Sequence, residues 1–70
     1  MIGEIMIGEI KVWNEEKGYG FINVKQRRKD VFCHSFDVKG VYDLDPGDRV
    51  EFEIEKTKKG MKAVNVKILY

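Results

Sequence analysis

The chain has one cysteine, one histidine and one proline among its 70 residues, and its apolar runs extend over only a few positions. One cysteine closes no internal disulfide, which excludes a small secreted scaffold stapled by bridges. One cysteine and one histidine fall short of a four-ligand zinc site, so neither a metal nor another cofactor is expected. A membrane helix needs about 20 consecutive apolar residues, so no membrane partner is expected. The N-terminus also lacks the basic region and apolar stretch of a signal peptide, and the expected location is the cytoplasm. Charge of one sign is missing too: 13 basic against 12 acidic residues leave +1. A protein that held nucleic acid by bulk charge would be strongly basic, so the distribution of charge matters more than its total here. Seventy residues make one domain at most. A chain of this length buries only about 60% of its unfolded surface, which leaves no room for a two-domain cleft.

The first ten residues repeat themselves: Met1-Ile2-Gly3-Glu4-Ile5 is followed by Met6-Ile7-Gly8-Glu9-Ile10. Five residues are too few for a solenoid unit. A natural second start, a cloning scar and a slipped gene duplication are all compatible origins. The expected organisation is an appendage over residues 1–5 and a domain over residues 6–70. The alternative is that the appendage extends a strand or exchanges with a neighbouring copy, since a flat apolar edge invites pairing. A monomer is expected, with a dimer through the N-terminal strand as the alternative.

From Ile7 onward the apolar pattern has period two, the period of a half-buried strand. Ile10 and Val12 alternate with Lys11 and Trp13; Gly20, Ile22 and Val24 with Tyr19, Phe21 and Asn23; Val31 and Cys33 with Phe32 and His34. Val50, Phe52 and Ile54 alternate with three glutamates, and Val64, Val66 and Ile68 with Asn65, Lys67 and Leu69. Polar turns separate these runs. In Asp45-Pro46-Gly47-Asp48 the proline fixes φ and the glycine accepts a positive one. Residues 38–44 have space for one turn of helix and no more. Five short strands predict an all-β protein, a five-stranded antiparallel OB-fold barrel, because closure removes the edges that an open sheet would expose.

The alternation sends Ile10, Val12, Gly20, Ile22, Val24, Val31 and Cys33 inward. Trp13, Tyr19, Phe21, Phe32 and His34 then point outward on three neighbouring strands, with Lys11 and Lys17 beside them. Exposed rings in such number call for a partner. Three readings fit: a platform on which nucleic-acid bases stack, at about 1–3 kcal/mol each; a protein-binding or self-associating patch; and a second core under a loop. Charge favours the first. Residues 11–39 hold seven Lys/Arg (Lys11, Lys17, Lys25, Arg27, Arg28, Lys29, Lys39) against four Asp/Glu, whereas residues 40–70 hold six of each. The basic turn over residues 25–29 sits where phosphates would run. The acidic row Glu51, Glu53 and Glu55 is expected on a surface away from the ligand.

Lys17-Gly18-Tyr19-Gly20-Phe21-Ile22 and Val31-Phe32-Cys33-His34, in this order and spacing, resemble the two ribonucleoprotein motifs of the cold-shock domain. The resemblance continues through Asn14-Glu15-Glu16-Lys17, Pro46-Gly47-Asp48-Arg49-Val50-Glu51-Phe52 and Ala63-Val64-Asn65-Val66, covering residues 6–69. It implies a barrel that binds single-stranded RNA or DNA with weak sequence preference and acts as an RNA chaperone. It also implies base stacking on Tyr19, Phe21, Phe32 and His34, contacts from Lys17 and Asn14, and a further aromatic at Tyr42 in the long loop. Where the family has Trp-Phe in strand one, this chain has Val12-Trp13. A one-residue step flips a side chain across the sheet, so Trp13 either stacks or fills the barrel end. Ser35 stands where the family has an aromatic, and Phe36 after it either substitutes or turns inward.

No catalytic site is expected. Cys33 and His34 are adjacent on a strand and point to opposite faces. Gly18 and Gly20 lack the Gly-Lys-Ser/Thr of a phosphate loop. Glu15 and Glu16 read as a solvated turn.

Overall fold

A computed structural model describes residues 5–25, 30–40 and 44–69. Tyr42 and residues 26–29 of the basic turn therefore lie outside the described residues. Five strands follow one another: β1 (Ile5–Asn14), β2 (Tyr19–Asn23), β3 (Val31–His34), β4 (Arg49–Thr57) and β5 (Gly60–Ile68). They close into a barrel in the order β1-β2-β3-β5-β4, with β4 returning to β1. Neighbours run antiparallel except at the β3–β5 junction, which is parallel and sets Phe32 beside Lys62 and Cys33 beside Ala63. Among the described residues one 3-10 turn, Ser35–Asp37, follows β3. The helical turn expected over residues 38–44 falls largely outside the described residues.

The inward positions of β2 and β3 obey the alternation: Gly20, Ile22, Val24, Val31 and Cys33 are all buried. Ile22, Val24, Val31 and Cys33 form one core cluster with Ile10, Leu44, Val50, Phe52, Ala63 and Val66. Burying each larger apolar side chain contributes about 1.5–3 kcal/mol. The Asp45–Asp48 turn forms as its residues dictate. Gly47 has φ of 96°, and the Asp48 carboxylate accepts the Asp45 backbone N–H at 2.9 Å.

Two bulges break the period-two pattern and correct the sequence reading. In β1, Ile10 pairs with Ile22 but Val12 pairs with Phe21, so Lys11 is an extra residue. An extra residue shifts every later side chain to the other face. Val12, expected inside, is 49% exposed beside Phe21. Trp13, expected outside, lies opposite buried Gly20, is half-buried and packs on the core. Gly20 has to be a glycine for this reason: a Cβ there would run into the Val12 carbonyl oxygen and the Trp13 ring. In β4–β5, Glu51 pairs with Lys67 and Glu53 with Val64, so Phe52 faces two residues of β5. Asn65 absorbs the bulge at φ 52°. Ala63 and Val66 are the buried pair as a result, and Val64 is not inside with Val66 as the alternation had placed it.

Candidate nucleic-acid interface

The outer side of β2 and β3 gathers the rings. Tyr19 pairs with His34 and Phe21 with Phe32 across the two strands. The Tyr19 and Phe32 centroids are 5.6 Å apart, Phe21 and Phe32 5.9 Å, and Phe32 and His34 6.4 Å. These rings are half-buried at their edges, and neighbouring rings support one another. Tilted and edge-on contacts at such distances are the favoured geometries for aromatic pairs.

The 3-10 turn extends the row. Phe36 turns outward and is 93% exposed, with its centroid 4.7 Å from that of His34 at an interplanar angle of 35°. Its backbone N–H donates to His34 Nδ1 at 3.1 Å. That bond makes Nδ1 an acceptor and leaves Nε2 as the ring's outward-facing nitrogen. The turn itself is tied to the β1–β2 loop, because the Ser35 N–H donates to the Gly18 carbonyl at 2.9 Å. The His34–Phe36 pair is thereby fixed beside Tyr19.

Asn14, Lys11 and Lys17 have structural partners of their own. The Lys17 N–H donates to Asn14 Oδ1 at 3.0 Å and the Gly18 N–H to the Asn14 carbonyl at 2.8 Å, so Asn14 shapes the turn that presents Lys17. The Lys17 side chain is exposed. Lys11 Nζ lies 3.0 Å from Asp30 Oδ2. An exposed ion pair of this kind is worth about 0–1 kcal/mol, so an arriving phosphate competes with it readily.

Three contributors were missed in the sequence. Val12 lies on this face because of the β1 bulge. Asp30 lies beside Lys11. Lys62 is paired with Phe32 through the parallel junction, and its ammonium stands 4.0 Å from Asp37 and 3.9 Å from Glu55. Only the order of strands in the closed barrel brings Lys62 here, and no local signal announces that. The same contact corrects the acidic row. Glu51 and Glu53 stay on the β4 wall, where Glu53 accepts a bond from Asn65, but Glu55 reaches the border of the aromatic face through Lys62.

Trp13 shares a cleft with two rings of the row, Tyr19 and Phe21. The cleft is also lined by Val12, Asn14, Leu44 and Pro46, and by the acidic residues Glu15, Glu16 and Asp45. Beneath the face, Cys33 is fully buried, and burial together with the Asp37 charge pushes its thiol up to about 12. A thiol held protonated inside the barrel is no nucleophile.

Known proteins resemble this chain over most of its length. The profile of the 'Cold-shock' DNA-binding domain matches residues 6–69. The chain belongs to the cold-shock domain family. It is 48% identical over 61 residues to the cold shock-like protein CspC of Buchnera aphidicola, spanning 84% of this chain and 88% of that one. It is 46% identical to the cold shock-like protein CspE of Escherichia coli, again over 84% and 88% of the two chains. To the major cold shock protein of Micrococcus luteus it is 44% identical, over 86% and 92%. A solved structure described as drosophila Unr CSD456 superposes on 97% of this cold-shock domain with a TM-score of 0.82 at 25% identity. This chain spans 28% of that longer one. Among the described residues no helix is long and apolar enough to cross a membrane.

Proposed function

We propose that this cold-shock domain binds unpaired RNA or DNA by stacking bases along Tyr19, Phe21, Phe32, His34 and Phe36, and so keeps RNA single-stranded without catalysing a reaction. The single observation that supports this most is the continuity of the row: five rings touch in sequence across β2, β3 and the 3-10 turn, all on the outside of a barrel that already has its core. A stack is indifferent to base identity because every base has a π-face, hence the weak sequence preference. Lys11, Lys17 and Lys62 border the row and would meet phosphates or base edges, Asn14 holds Lys17 in place, and the family resemblance adds Tyr42 as a further aromatic contact. Trp13 adjoins the site in the cleft that it lines with Val12, Tyr19 and Phe21. A single buried cysteine with its thiol protonated fits a reducing compartment, and the cytoplasm is the proposed setting.

The test is a titration of a labelled seven-nucleotide oligouridine or oligothymidine, read by anisotropy at two salt concentrations. Three to four stacks predict binding in the micromolar range, about −8 kcal/mol. Affinity should fall only modestly with salt, since each neutralised phosphate adds about −0.7 to the log–log slope for a single strand. Full affinity in a Phe21→Ala, Phe32→Ala double variant would place the nucleic acid elsewhere.

A further inference from the structure

The first half of β1 has a neighbour on one side only. Ile5, Met6, Ile7, Gly8 and Glu9 pair with β4 from Glu53 to Arg49. The β2 ladder begins at Glu9, opposite Asn23. Among the described residues no strand pairs with residues 5–8 on the side away from β4, and a groove lined by residues 5–9, Asn23, Lys25 and the β4 residue Arg49 runs along them. Gly8 is buried on the inner side, while Ile5 and Ile7 point outward, 65% and 53% exposed. An unpaired edge with apolar outward side chains and no charge between them is a template for another strand.

We propose that this edge pairs antiparallel with the same edge of a second copy of the chain, about a two-fold axis at Met6. The parity of the strand selects the register. Residues opposite one another in an antiparallel ladder share a face, so the outward isoleucines meet only when the two numbers of each pair sum to an even value. Centring on Met6 sets Ile5 against Ile7 of the second copy and Met6 against Met6. Toward β2 the ladder stops before Glu9, which is already paired with Asn23. The duplication supplies what this pairing needs. A chain beginning at Met6 would offer residues 6–8 alone, and in this register only Met6 would find a partner. With Ile5 present the described residues supply three pairs instead of one. The contact is self-complementary, as a two-fold interface must be. It is also much smaller than the roughly 1,200–2,000 Å² of a stable complex, so the dimer exchanges rapidly and forms at high protein concentration.

The test is sedimentation equilibrium of the full chain from about 10 μM to 1 mM, with amide NMR spectra over the same range. The expected result is a concentration-dependent dimer, with the signals of residues 5–8 moving as it forms. Ile7→Lys and Ile5→Lys place a charge on an exposed edge position and leave the core untouched. Each should raise the dimer dissociation constant tenfold or more while the melting curve stays in place. Phe36→Ala, which removes an exposed ring in the 3-10 turn and not in β1, should leave dimerisation unchanged. A monomer throughout the range would overturn the proposal. So would a dimer that survives both lysine variants, or one that Phe36→Ala abolishes. Should the lysine variants lose their fold, the NMR shifts of the unaltered chain decide by themselves: movement elsewhere than residues 5–8 rejects the interface.

Discussion

Phe36 and His34 hold each other in place: the Phe36 N–H donates to His34 Nδ1 at 3.1 Å while the two rings lie 4.7 Å apart. The stacked ring is almost wholly exposed, so it adds little to the fold. Phe36→Ala should change unfolding free energy by less than about 0.5 kcal/mol, as surface substitutions do. It should weaken oligouridine binding by roughly tenfold, the value of one lost stack of about 1–3 kcal/mol. Urea denaturation and anisotropy titration of the same variant check both halves. A variant that loses stability and keeps affinity would reverse the assignment.

Val12 occupies an outward position beside Phe21, where a ring would lengthen the row. Val12→Trp should tighten binding of a seven-nucleotide strand about fivefold or more. The converse change, Trp13→Val, should cost stability of about 2 kcal/mol or more, because it removes packing over Gly20 and the core edge. The two variants therefore separate on different assays, affinity for the first and urea midpoint for the second.

Lys62 lies next to Phe32 with two carboxylates about 4 Å from its ammonium. If the cation meets a phosphate, Lys62→Ala lowers affinity and reduces the salt slope by about 0.7. Loss of affinity with an unchanged slope would mean that the side chain touches a base instead. Measuring binding at four salt concentrations distinguishes the two outcomes.

The Cys33 thiol, pushed up to about 12 by burial and by Asp37, makes a pH-dependent contribution to the fold. Its ordinary value is 9.0. The folded value is the higher one, so the contribution is complete below pH 9 and is lost between pH 9 and 12, at up to about 1.4 kcal/mol per pH unit. Over that range the unaltered chain should lose stability faster than Cys33→Ala, although the variant starts lower because of its cavity. At pH 8 the native thiol should resist a disulfide reagent and react fully once the chain is unfolded in urea.

Much of the fold was legible because the strands are short and their alternation is clean. Gly20, Ile22, Val24, Val31 and Cys33 face inward as their spacing requires, and Tyr19, Phe21, Phe32 and His34 follow on the outer side. What escaped were features with no local signal. The bulge at Lys11 exchanges the faces of Val12 and Trp13, and nothing in Ile10-Lys11-Val12-Trp13 marks one residue as supernumerary. The bulge at Asn65 similarly separates Val64 from Val66. Lys62 joins the face through a parallel pairing between residues 30 positions apart (62 minus 32), a contact made by topology and invisible to periodicity. Phe36 had two open positions, and the Nδ1 bond to its N–H fixes it outward.

The junction of β3 with β5 also couples the two ends of the chain's folding history. The aromatic row runs from residues 19 to 36, yet its border cation arrives only when the last hairpin docks against β3 and shuts the barrel. The unfolded chain has no comparable surface, so a strand that spans Phe32 and Lys62 binds the closed form alone. Mass action then requires oligonucleotide to raise the melting temperature in proportion to the logarithm of its concentration, by about 2.7 kcal/mol of added stability at a hundredfold excess over Kd. For a small barrel with a thin core, the nucleic acid acts as a removable part of the scaffold.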